Sequence, residues 1–233
     1  MNTFTWNGVS CADFNIICSN GGTYGAAERD VTAINIPGRN APLIVDNGCF
    51  KPVNVTFQCH VRKSFAANAP LIRSWLRSAA GYRRLEDDAH PDEYRMARPV
   101  GEVEFEPMYT DKEADFNAKF ECQPQRFLKS GETAVTKTAS GYVTNPTQFE
   151  ALPLIVVYGS GAGTLTVGGT TVSISEIGTS VTLNCEIQRA YNGTTPRDST
   201  VTGQFPKLVP GRNNISFTGG VTRVDITPRW WTV

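Results

Sequence analysis

Histidine is scarce in this sequence: its 233 residues contain only two, His60 and His90. The commonest general base is therefore in short supply. No GxSxG elbow, HExxH helix or Walker A loop offers another route to catalysis. Charge of one sign is also missing. Lys+Arg number 22 and so do Asp+Glu, so the positive excess that drives phosphate-backbone binding is absent and specific nucleic-acid binding is not expected. No apolar run approaches the ~20 residues of a membrane-spanning helix, so membrane insertion is not expected either. Met1 to Gly8 has no basic start and no apolar stretch, and does not read as a secretory signal. The six cysteines (Cys11, Cys18, Cys49, Cys59, Cys122 and Cys185) form no CxxC and are irregularly spaced. They read as reduced, buried thiols of a protein made in a cytoplasm. No catalytic, cofactor-binding or metal-binding residues are assigned.

What is present is strand pattern. Val53, Val55, Phe57, Cys59 and Val61 alternate with polar partners, as do Val103 and Phe105, then Phe116, Ala118, Phe120 and Cys122. Further along, Leu165 and Val167 precede a Gly168-Gly169 turn, then Val172 and Ile174 follow, a hairpin signal. One helix is expected, capped by Asn68 with Pro70 in its first turn and ending near Gly81. Leu71, Ile72, Trp75, Leu76 and Ala79 form its apolar stripe, with Trp75 as a packing anchor. Composition shifts along the chain. Residues 1–130 carry 15 Lys+Arg and 16 Asp+Glu, residues 131–233 only 7 and 6, with 19 threonines and 13 glycines. The expected fold is therefore mainly β, with two β-sandwich domains at residues 1–135 and 136–233, the first carrying the helix.

Three segments invite a chemical reading. In LPLIVVYGSGAG (152–163) the glycines fall as GxGxG, and the next stretch has period two, so no helix N-terminus is available for a dinucleotide. The expectation is a strand ending in a flexible turn. In LEDDAHPDEYR, Glu86, Asp87, Asp88, Asp92 and Glu93 lack the glycine and ligand spacing of a calcium loop. With arginines on both sides, the segment reads as a solvated or subunit-contact loop. Trp230 and Trp231 could stack a sugar. Adjacent strand residues face opposite ways, however, so one is expected in the core and the other under a neighbouring loop.

Nine motifs in order resemble the distal tail protein (Dit) family of siphophages and related prophages. They are FTWNGVSCADFNI, RDVTAINIPGRNAPLIVDNG, the helix with Trp75-Leu76, GYRRLEDDAHPDEYRMA, FECQPQRFLKSGE, NPTQFEALPLIVVYGSG, AYNG, FPKLVPGRNNISFTGG and ITPRWWT. The resemblance implies a non-enzymatic structural protein of the virion tail tip, made in the host cytoplasm. It implies a first domain that forms a six-fold ring with itself, between the tail tube protein and the hub or tip protein. It also implies a galectin-like or carbohydrate-module-like second domain that docks receptor-binding proteins. Ile36 to Phe50 and Glu86 to Arg98 are expected as protruding loops, with Ile36, Pro37, Gly38, Arg39, Asn40, Asp87, Asp88, Asp92 and Arg95 at subunit contacts. The alternatives are a carbohydrate-binding module facing the host surface, a tail-tip cell-wall hydrolase, and another tube or baseplate subunit.

Overall fold

A computed structural model gives the structure of the chain and describes residues 2–19, 24–108 and 111–233. The fold is mainly β, as the alternation predicts, and the chain divides into two compact units, Met1–Arg126 with Val233, and Phe127–Thr232. Composition put the change a little further along.

The first unit contains β1 (Phe4–Trp6), β2 (Val9–Ser10), β3 (Ile16–Cys18), β4 (Arg29–Ile34), β5 (Leu43–Phe50) and β6 (Val53–Val61). Helix α1 (Phe65–Leu76), β7 (Arg83–Asp87), β8 (Glu93–Pro99), β9 (Phe105–Met108) and β10 (Glu113–Leu128, its last two residues counted in the second unit) follow. The main sheet runs β2-β1-β7-β8-β10-β6-β3, with β9 also on β10. β6 and β10 form its spine. Their apolar residues meet in register, Cys59 opposite Phe116, Phe57 opposite Ala118 and Val55 opposite Phe120, so both strands bury the same face. Phe4 stacks on Phe57 at 4.5 Å and on Trp75 at 5.6 Å.

The helix starts earlier than its sequence suggests. Phe65 and Ala66 donate their N–H groups to the carbonyls of Lys112 and Asp111, so two donors of the first turn are satisfied without a side-chain cap. Asn68 sits inside the helix and donates instead to the carbonyl of Phe14 at 2.9 Å. The buried stripe is Phe65, Ala69, Ile72, Trp75 and Leu76, while Leu71 points outward, 55% exposed. Trp75 is the expected anchor, its indole N–H donating to the carbonyl of Trp6.

The second unit contains β11 (Val135–Lys137), β12 (Gly141–Asn145), β13 (Leu154–Val167), β14 (Thr170–Ile174) and β15 (Ser180–Asn184). β16 (Arg189–Asn192), β17 (Thr195–Pro196), β18 (Val201–Gly203), β19 (Gly211–Thr227) and β20 (Trp231–Thr232) complete it. Its sheet runs β11-β19-β13-β15-β16-β17, with β12 on β19, and β14 linking β13 to β18. The β13–β14 hairpin turns on Gly168 and Gly169, both with positive φ.

The glycine-rich segment 159–163 does not end a strand. β13 continues through it, paired with β19 across register shifts between Tyr158 and Gly163. A Cβ on Gly159 would lie 1.9 Å from the Gly220 carbonyl oxygen, and one on Gly220 would lie 1.6 Å from that of Ser160. The glycines thus let two bulged strands approach where no side chain fits.

Candidate assembly surfaces

Among the described residues, β4 and β5 form a two-stranded sheet of their own, paired with each other. Ile36 to Asn40 form its tip. Arg39 donates its N–H to the Ile36 carbonyl at 3.1 Å, with Pro37 and Gly38 (φ +83°) between them. This is the sequence order a type II turn requires. The segment expected as a loop is therefore a hairpin, held by an Arg29–Asp46 pair at 2.7 Å and by Arg29 lying over Phe50.

The hairpin's apolar side chains are not in the core. Val31, Ile34, Ile36, Leu43, Ile44 and Val45 are all exposed, Ile44 at 55%. Ile44 and Val45 are consecutive and so lie on opposite faces, and neither face is covered. Two open strand edges flanked by exposed aliphatic residues form a surface suited to another chain.

The second predicted loop is largely sheet. β7 and β8 pair as a hairpin, with Leu85 opposite Arg95 and Arg83 opposite Ala97, leaving residues 88–92 as the turn. Asp87 is bonded to His90 at 2.8 Å, and Asp88 accepts from the Thr3 backbone N–H at 2.8 Å. Asp92 is exposed. Arg95 is not at a surface: alternation along β8 puts it inside with Ala97, 7% exposed, beside Arg126. Burial, and then the Arg126 charge, lower its pKa. A guanidinium so placed is not offered to a neighbouring subunit. Of the flanking arginines, Arg84 pairs with Glu86, whereas Arg98 reaches Glu121.

The tryptophan pair splits as expected. Trp230 is in the second unit's core, 5% exposed, above Gly131, where a Cβ would come within 2.4 Å of the Trp230 nitrogen. Burial removes it as a sugar platform. Trp231 stacks on Phe149 at 4.5 Å and donates its indole N–H to the Glu150 carbonyl at 2.9 Å.

A groove in the first unit had no sequence signal, because its residues come from β6, β9, β10 and the segment before β9. It encloses about 580 Å³ and is lined by His60, Glu102, Glu104, Glu106 and Asp115. His60 on β6 faces Asp115 on β10 and bonds it at 2.6 Å. Ser19 lines the same groove, but its hydroxyl donates to the Gln58 side chain at 3.0 Å rather than to His60. The nucleophile–base contact of a serine hydrolase is thus not formed. Among the described residues, no group of three or more His, Cys, Asp or Glu side chains is arranged to hold a metal, and no helix is long and apolar enough to cross a membrane.

Comparison with known proteins finds the same fold over the whole chain. The Dit protein of phage SPP1, described as a paradigm of hub adsorption apparatus in phages infecting Gram-positive bacteria, matches with a TM-score of 0.76 at 13% identity, covering 100% of both chains. A chain of the phage p2 baseplate in its activated conformation matches with TM-scores of 0.54 with strontium and 0.53 with calcium, at 8% and 9% identity, covering 97% of each chain. No protein-family model and no curated protein sequence matches.

Proposed function

We propose that this chain is a structural, non-enzymatic distal tail component of a siphophage or prophage, with Dit-like proteins as its family. The observation that carries the reading is the end-to-end fold likeness to the SPP1 hub protein, both units included. Identity of 13% leaves little common sequence, yet the nine ordered motifs span the same chain. In this reading the first unit forms a six-fold ring joining the tail tube to the hub or tip. The second, galectin-like unit faces outward and docks receptor-binding proteins.

The exposed β4–β5 hairpin supports self-assembly. Ring subunits need a surface that fits a second copy, and the hairpin supplies two open strand edges and six exposed apolar side chains. Its tip, Ile36 to Asn40, is the part best placed to reach a neighbour. From the 88–92 turn, Asp88 and Asp92 are proposed as rim contacts.

Negative-stain microscopy with native mass measurement on the full chain tests this, alone and mixed with the tail tube protein. Six-fold rings are expected. A chain that stays monomeric at every concentration, with and without the tube protein, would remove the ring assignment. Zymography on peptidoglycan tests the enzymatic alternative, and a lysis band would overturn the non-enzymatic reading.

A further inference from the structure

Cys18 and Cys59 face each other across β3 and β6, the last two strands on one side of the main sheet. Their sulfurs are 3.9 Å apart. The ladder defines the kind of pair they form. Ser19 donates its N–H to the Gln58 carbonyl, whereas the Cys18 N–H points the other way, to the carbonyl of Asn2. Hydrogen-bonded and non-hydrogen-bonded pairs alternate along an antiparallel ladder, so Cys18 and Cys59 are a non-hydrogen-bonded pair, with Cα atoms about 4.5 Å apart. That spacing lies within the ~4.4–6.8 Å range of disulfides. Side-chain rotation alone can close the gap between the sulfurs.

We propose that Cys18 and Cys59 form a cross-strand disulfide when the protein meets oxidising conditions, fastening β3 and the base of the hairpin-bearing segment to the sheet. The loop it would close contains the whole of β4 and β5. The reaction with a small dialkyl disulfide runs in two exchanges. Cys18, on the short strand β3, loses its proton and attacks the reagent, releasing one equivalent of thiol. Cys59 then loses its proton, attacks the mixed disulfide at the Cys18 sulfur and releases the second. Two protein thiols are oxidised, and one reagent disulfide is reduced to two thiols.

Both thiols are buried, and their surroundings make the reaction slow. The Cys11 thiol lowers the pKa of Cys18, but its contact with Cys59 and its burial outweigh that and raise it. Closure therefore needs local opening of the three-residue strand β3, including its bridge to Asn2, and it accelerates with pH as thiolate forms. Cys11 is the competing partner. It accepts the Phe4 N–H at 3.3 Å and is not opposite Cys18 in the ladder. The tail assignment is not needed for this chemistry. A released virion would supply the oxidising surroundings in which such bonds persist.

The test uses the full chain with the exposed Cys49 replaced by serine, which removes the thiol most open to intermolecular coupling. The native protein is incubated with 2-hydroxyethyl disulfide at mildly alkaline pH and mapped by mass spectrometry. The expected product is lighter by two hydrogens, with the Cys18 and Cys59 peptides linked. Its melting temperature should rise by roughly 10 °C and return to the starting value on reduction. Adding Cys59→Ala or Cys18→Ala should abolish the mass loss. A Cys11–Cys18 link, a reagent adduct that never resolves, or thiols still free after the β3 amides have exchanged would overturn the proposal. Mapping on the parent chain keeps the result decisive even where an alanine variant fails to fold.

Discussion

Single residues are where this sequence is easiest to read and also where it misleads. Cys59, Phe57 and Phe120 announce burial through alternation, and Trp75 through its place on a helical stripe. Arg95 carries a charge and lies within a charge-rich run, so it reads as surface, but position within β8 overrides residue type and turns it inward. Glu121 shows how a near-surface charge is set by partners remote in sequence. It accepts from Arg98 at 2.8 and 3.1 Å and from the Tyr82 hydroxyl at 2.7 Å. The Arg98 hydrogen bonds, then that of Tyr82, hold its carboxyl below the ordinary value of 4.5. A depressed folded-state value stabilises above the unfolded value and loses that stabilisation as pH falls through the folded one. Glu121→Gln should therefore be less stable than the parent at neutral pH, by about 1 kcal/mol or less because the site is exposed. The difference should shrink as pH drops below 4.5. Urea unfolding of both proteins at several pH values measures this, and a gap independent of pH would assign the effect to packing instead of charge.

At the level of elements, legibility follows how local the determining physics is. The β6 and β10 strands and the Gly168-Gly169 hairpin are written in neighbouring residues and emerge as predicted. The start of α1 is not, because its first two N–H groups are satisfied by Lys112 and Asp111, which lie far along the chain. The segment 159–163 is misread for a related reason. Glycines hide the period of a strand, and what requires them is the close approach of β19, invisible from β13 alone. Two substitutions separate close approach from backbone conformation. Gly161 has φ +66° with open space around it, so Gly161→Ala should cost only the left-handed penalty, about 1 kcal/mol. Gly220→Ala would drive a Cβ into the Ser160 carbonyl, and should cost at least about 3 kcal/mol or prevent the second unit from folding. Urea midpoints of the two variants decide it. Equal losses would mean that the bulge relaxes freely and that the glycines are not there for contact.

At the level of the whole molecule, the hairpin β4–β5 connects the fold to its proposed role. The spine strands β6 and β10 bury one face, whereas β4 and β5 bury neither, so among the described residues this pair has strand geometry without a packing partner. From sequence, 36–50 reads as a protruding loop because Pro, Gly, Asn and charge are dense there and few core positions alternate; the hairpin it belongs to is set by the Pro37-Gly38 turn. An isolated two-stranded hairpin is marginal in water, so in the free subunit its amides should exchange with solvent much faster than those of β6 and β10. If the hairpin seats on a second copy, assembly should slow that exchange in β4 and β5 while leaving the central strands unchanged. Ile44→Asp tests the same surface from the other side. Ile44 contributes to no core cluster, so the melting temperature of the monomer should stay within about 2 °C of the parent, the usual range for an exposed substitution. Ring formation in micrographs should be lost, because a carboxylate would have to be desolvated in the contact. Rings that persist in Ile44→Asp, with exchange in β4 and β5 unchanged on assembly, would show that the subunits meet elsewhere and would leave the exposed hairpin for a different tail partner.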